Sequence, residues 1–186
     1  QSVGRVRWSL TGEHNRMNAL AAIGAGRDAG VDPADAIAAL NAFQGVKRRM
    51  EVRGTVRGVT LYDDFAHHPT AIRMTIAGLR QRSGRARILA VLELRSNTMK
   101  RGVMKDALPA SLAEADRVFI YAAGLEWDAR AVFDAAAARA HVAADLDALV
   151  EAIAREARDG DQVLVMSNGG FGGIHGKLMA RLAQGR

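Results

Sequence analysis

The chain has no cysteine, which excludes disulfides and thiolate metal centres. Aromatic residues make up only 5% of it, too few for the stacking platforms that bind single-stranded nucleic acid. No stretch of eighteen apolar residues occurs, and no charged-then-apolar leader ends in a small-residue cleavage site. The sequence therefore presents neither a membrane span nor an export signal, and a cytoplasmic location is the expectation. Also missing are the dinucleotide fingerprint Gly-x-Gly-x-x-Gly and the phosphate loop Gly-x-x-x-x-Gly-Lys-Ser/Thr. Zinc-finger, recognition-helix and RNP patterns are absent too.

What is present fits one good core. The chain has 186 residues, of which 49% are apolar, enough for one domain and a fragment of a second. Its net charge of +6 is unevenly spread. Between Lys47 and Lys105 stand fourteen Lys or Arg against four acids (Glu51, Asp63, Asp64, Glu93), while the rest has twelve against sixteen. A local basic excess favours an anion-binding cleft over a uniformly solubilised surface.

The most informative stretch is Leu61-Tyr62-Asp63-Asp64-Phe65-Ala66-His67-His68-Pro69-Thr70. Val56, Val59 and Leu61 alternate before it as in a strand, and Ile72, Thr75, Ile76 and Leu79 follow at helical spacing. Pro69 suits the first helical turn, where its missing N–H would have no partner. Two carboxylates and two imidazoles thus stand where a strand hands over to a helix. Such residues can simply cap a helix or form a surface turn. In an open α/β sheet the same place is the ligand-binding crevice.

Further apolar runs at Ile88–Leu92, Val118–Tyr121 and Val163–Met166, with a shorter one at His141-Val142, alternate with helical stretches. The clearest helix starts after Asp145, with Leu146, Leu149, Val150 and Ile153 on one face; the alanines at 135–138 also read as helix. Continuous runs of this kind predict parallel strands covered on both faces, hence an α/β, Rossmann-like, doubly wound, mostly parallel sheet. Three polar loops, at Arg95–Thr98, Gly124–Asp128 and Ser167–His175, then follow strands and share one binding edge. Before Lys47 the pattern is sparser. Val3–Leu10 suggests an edge strand, Ala19–Ile23 a helix ended by Gly30, and Asp32-Pro33 the cap and first turn of another.

The junction resembles the Asp-Asp-aromatic-small-His-His-Pro-Thr segment of the Mur ligases that act on UDP-N-acetylmuramate, in the form found in the tripeptide-attaching branch, the murein peptide ligases. Gly45–Glu51, Arg95–Lys100 and Ser167–His175 resemble further segments of that branch, in the same order. The run from Gly12 through His14, Asn15 and Asn18 to Ile23 resembles the end of the family's central ATP-binding domain. Leu94 departs from the branch, where proline is usual.

That resemblance implies an ATP- and magnesium-dependent ligase of peptidoglycan recycling. It would join UDP-N-acetylmuramate, through an acyl phosphate, to the anionic tripeptide L-Ala-γ-D-Glu-meso-diaminopimelate. It implies that residues 1–46 close the central domain and 47–186 form the C-terminal Rossmann-like domain. With no phosphate loop in the sequence, the expectation is a C-terminal fragment inactive alone, with Mg2+ held mainly elsewhere. The implied ATP contacts are Asn18 for adenine, supported by His14 and Asn15, Arg49 for the phosphates, and Asp64 for the ribose with Asp63 as fallback. His67 and His68 would border the reacting groups. Arg95, Ser96, Asn97 and Thr98, with Asn168, Gly169, Gly170, Phe171 and His175, would hold the peptide. No metal ligand is assigned, and neither nucleic acid nor membrane is expected as a partner. The alternatives are a ligase for L-alanine on the same sugar nucleotide, or a non-catalytic module that binds a nucleotide or nucleic acid.

Overall fold

The computed structural model describes residues 2–8, 10–133 and 139–185. Two compact units divide it, residues Gln1–Lys47 and Arg48–Arg186.

The first unit contains α1 (Glu13–Asp28) and α2 (Pro33–Ala42). Asp32 caps α2 by accepting the Ala34 N–H at 2.7 Å, with Pro33 in the first turn. Residues 2–8 form no strand, contrary to the edge strand expected over Val3–Leu10. Alternation alone cannot make a strand without a ladder, and here the Arg7 N–H bonds the Asn41 side chain at 2.6 Å instead.

The second unit is the expected doubly wound sheet. Its strands are β1 (Glu51–Val56), β2 (Val59–Asp64), β3 (Ile88–Glu93), β4 (Arg117–Tyr121), β5 (Ala140–Ala143) and β6 (Gln162–Met166), in the order β1-β2-β6-β3-β4-β5. β1 pairs antiparallel with β2, and every other pairing is parallel. The Arg57-Gly58 turn joining β1 and β2 has positive φ at both residues, as the twist of a two-residue hairpin requires.

Side-chain alternation splits the core. Ile88, Ala90 and Leu92 pack on one face with α3 (Pro69–Ser83) and α5 (Leu108–Ser111). Leu89 and Val91 pack on the other with α7 (Leu146–Glu156) and α8 (Ile174–Gln184). Covering both faces is why these strands read as unbroken apolar runs. Leu94, at 2% exposure, belongs to the α3 face. The short helices α4 (Asn97–Lys100) and α6 (Ala129–Val132) follow β3 and β4. The alanines read as helix at 135–138 lie outside the described residues. Among the described helices none is long and apolar enough to cross a membrane.

Parallel register brings the strand ends level: Asp64 pairs with Met166, Leu92 with Met166, and Glu93 with Tyr121. The loops leaving β2, β3, β4 and β6 therefore emerge along one carboxyl edge.

Candidate functional site

Asp63 and Asp64 are adjacent in sequence but face opposite sides of the sheet, as strand geometry dictates. Asp64 lies on the α3 side. Its Oδ1 accepts the Ala66 N–H at 2.8 Å and the Thr75 hydroxyl at 3.4 Å, and its Oδ2 accepts the Met50 N–H at 2.9 Å. Burial pushes this carboxyl above its ordinary value, against the opposing pull of those donors and of the Arg49 charge. Three donors leave about one of its four acceptor positions open.

Asp63 faces α8. Arg48 Nε lies 3.3 Å from its Oδ2, and His175 Nε2 lies 3.6 Å from its Oδ1. Burial holds His175 below the ordinary imidazole value; Asp63 raises it again, and Arg53 and Arg48 lower it. His175 Nε2 and Asn168 Oδ1 are both buried without a hydrogen bond among the described residues.

The turn at Arg48–Met50 holds two non-glycine residues in the left-handed region, Arg48 at φ 58° and Met50 at φ 52°. Such conformations cost on the order of 1–3 kcal/mol each and persist only when the surroundings fix them. Here Glu51 accepts the Arg48 N–H at 2.9 Å, and Asp64 holds Met50. The guanidiniums of Arg48 and Arg49 lie 5.3 and 5.5 Å from the centre of the Phe65 ring.

The two histidines differ in what they present. His67 Nδ1 is 3.0 Å from the Phe65 carbonyl, which only accepts, so Nδ1 carries the proton and the neutral ring keeps a free lone pair on Nε2. His68 Nδ1 accepts the Thr70 N–H at 3.3 Å as the N-cap of α3, so its neutral ring carries the proton on Nε2.

Beyond β3, Ser96 caps α4 through the Met99 N–H at 3.3 Å, while Arg95, Asn97 and Thr98 are exposed. Arg95 lies across Gly169, where a Cβ would fall 1.7 Å from its Nη1. This ties the loop after β3 to the loop after β6. Ser167 bonds Glu93 through its hydroxyl, which also accepts the Gly169 N–H at 2.9 Å. Phe171 sits at φ 44°, and Gly172 and Gly173 follow at 55° and 72° before α8 begins. At Gly172 the left-handed φ of 55° favours glycine, and an added Cβ, 2.5 Å from Leu146 Cδ2, would make that leucine shift.

The carboxyl edge thus gathers Asp63, Asp64, Arg49, His67, His68, Arg95–Thr98 and Asn168–His175. Sequence reasoning assigned no role to Arg48, Glu93, Ser167 and Phe65, which bind that set together. An acid directly after an apolar run was the signal for Glu93. His14, Asn15 and Asn18 belong to the first unit. There Asn15 Nδ2 donates to the Thr11 carbonyl at 2.7 Å and lies 3.1 Å from His14 Nε2, and Asn18 is exposed. Within the second unit a cavity of about 540 Å³ lies away from the carboxyl edge, lined by Arg57, Arg158, Arg181 and the ends of α7 and α8.

A strand-to-helix junction on a sheet of this topology is shared by many functions, but residues 48–169 match the model of the Mur ligase, glutamate ligase domain, and the chain belongs to that family. It is 54% identical, over 99% of its length, to the UDP-N-acetylmuramate–L-alanyl-γ-D-glutamyl-meso-2,6-diaminoheptandioate ligase of Escherichia coli (strain K12). It is 47% identical over 98% of its length to the ligase of the same name from Haemophilus influenzae. The chain spans 41% of each of these relatives. Among solved structures, a murein peptide ligase from Psychrobacter arcticus superposes with a TM-score of 0.75 at 43% identity, over 96% of this chain and 38% of that one.

Proposed function

We propose that this chain serves as the ATP-closing and peptide-bearing part of a ligase that joins UDP-N-acetylmuramate to L-Ala-γ-D-Glu-meso-diaminopimelate in the cytoplasm, with residues 1–46 ending the central domain and 47–186 forming the C-terminal one. The observation that carries this reading is the convergence of the Arg48–Met50 turn, the His67-His68 junction, the Arg95 loop and the glycine loop on one sheet edge. It occurs in a chain closely similar to tripeptide ligases.

Mur ligases are ATP-dependent. When bound, ATP supplies the phosphoryl group that activates the sugar carboxylate, and attack by the tripeptide amine then releases phosphate. Arg49 holds phosphate oxygens through its planar fork. Asp64 takes one ribose hydroxyl with its remaining acceptor position, and Asn18 pairs with the adenine edge beside His14 and Asn15. His67, with a free Nε2 lone pair, is the better placed to accept the proton of the attacking amine, and His68 donates from Nε2. Arg95, with Ser96, Asn97 and Thr98, holds peptide carboxylates, and the loop from Asn168 through Gly169, Gly170 and Phe171 to His175 lies against them. Magnesium would accompany the ATP. Among the described residues no three His, Asp or Glu side chains come together that could hold a metal ion.

The test is ADP release and product mass with the full-length ligase carrying this chain. The expected result is turnover that requires UDP-N-acetylmuramate, ATP and the tripeptide together. Turnover with L-alanine and none with the tripeptide would make it an L-alanine ligase. No turnover with either would leave a nucleotide-binding module.

A further inference from the structure

Arg48 has no role in the function proposed above, yet its side chain bonds three other positions across segments at the carboxyl edge. Its Nη2 donates to the Ser167 carbonyl at 2.7 Å and to the Gly169 carbonyl at 2.8 Å, 119 and 121 residues away in sequence. Its Nε faces Asp63 at 3.3 Å, and its guanidinium lies 5.3 Å from the centre of the Phe65 ring. Its backbone is fixed at both ends, the N–H by Glu51 and the carbonyl by the Phe65 N–H at 2.9 Å. It holds a left-handed conformation that a non-glycine residue seldom adopts.

We infer that Arg48 is a positioning residue: it clamps the turn that carries Arg49 to the glycine loop after β6, so that one side chain sets the place of both. The inference rests on the proposed ligation for its catalytic consequence, but the clamp itself is geometric. A lysine keeps the charge opposite Asp63 yet lacks the planar fork that spans two carbonyls and a carboxylate at once. Arg53, an exposed arginine of β1 whose guanidinium pairs with Glu51 at 3.2 Å, serves as the control.

In the full-length ligase, Arg48→Lys is expected to raise the KM for ATP and the KM for tripeptide together, by about tenfold each, as the loss of a charge-assisted hydrogen bond would do. Arg53→Lys should leave both unchanged. A merely structural role would reduce the active fraction, lowering kcat at unchanged KM. That outcome, or a change in only one KM, overturns the inference. A wild-type protein without ligase activity would sink the functional reading instead. The clamp would then be decided by amide exchange at Gly169 and Gly170 in this chain. Faster exchange in Arg48→Lys supports it, and unchanged exchange overturns it.

Discussion

The two units of this chain differ in what holds them. In the second, both faces of the sheet are covered, and Leu61, Leu92, Val163 and their neighbours are wholly buried. In the first, Ala19 is the one buried apolar residue among those described, and Met17, Leu20 and Phe43 are 58%, 63% and 41% exposed. Residues of the proposed site occur in both. The second unit therefore sets its site residues on a self-contained core, whereas the first carries His14, Asn15 and Asn18 on a helix with little apolar burial of its own.

The largest expected contrast is in stability. Leu92→Ala, at a fully buried position, should cost roughly 2–5 kcal/mol in denaturant unfolding. Leu20→Ala on exposed α1 should stay within about 0.5 kcal/mol. Equal losses at the two sites would erase the distinction between the units. Polar motif residues should divide in the same way. Asp64→Asn leaves a donor facing a backbone N–H that it cannot satisfy, so it should cost about 1–3 kcal/mol. Asn18→Ala should leave stability within about 0.5 kcal/mol while raising the ATP requirement of the full-length ligase. A stability loss at Asn18 as large as that at Asp64 would contradict this division.

The smallest effect is one of pH. Asp116 is lowered from 3.8: burial would raise it, but the Ile88 N–H and Arg80, at 2.8 and 2.5 Å, outweigh that. A depressed carboxylate contributes stability that is present above its unfolded value and lost as pH falls through the folded one. Asp116→Asn should therefore flatten the decline in stability below about pH 4 and lower stability at neutral pH. A decline as steep as that of the unsubstituted chain would show that this pair does not matter.

Most of the second unit was legible in the sequence because its physics is local. The runs at Ile88, Val118 and Val163 became β3, β4 and β6, the short run at His141-Val142 became β5, Pro69 began α3, and Asp145 caps α7 through the Ala148 N–H. The edge strand at Val3–Leu10 was misread because alternation says nothing about a pairing partner. Within the site, the residue types at the strand ends were legible, but their connections were not. Arg48 reaches carbonyls more than a hundred residues away, and Phe171 takes a backbone region that its own propensity disfavours. The division of labour between Asp63 and Asp64 could have been read from strand alternation.

The central claim is that one sheet edge serves two ligands, ATP phosphates at Arg49 and peptide carboxylates at Arg95. The most direct test is steady-state kinetics of Arg49→Lys and Arg95→Ala in the full-length ligase, each titrated with ATP and with tripeptide. Arg49→Lys should raise the KM for ATP with little change for the tripeptide. Arg95→Ala should raise the KM for the tripeptide by about ten- to a hundred-fold, with ATP nearly unaffected. If Arg95→Ala weakened ATP use and spared the tripeptide, the peptide would not lie at this edge.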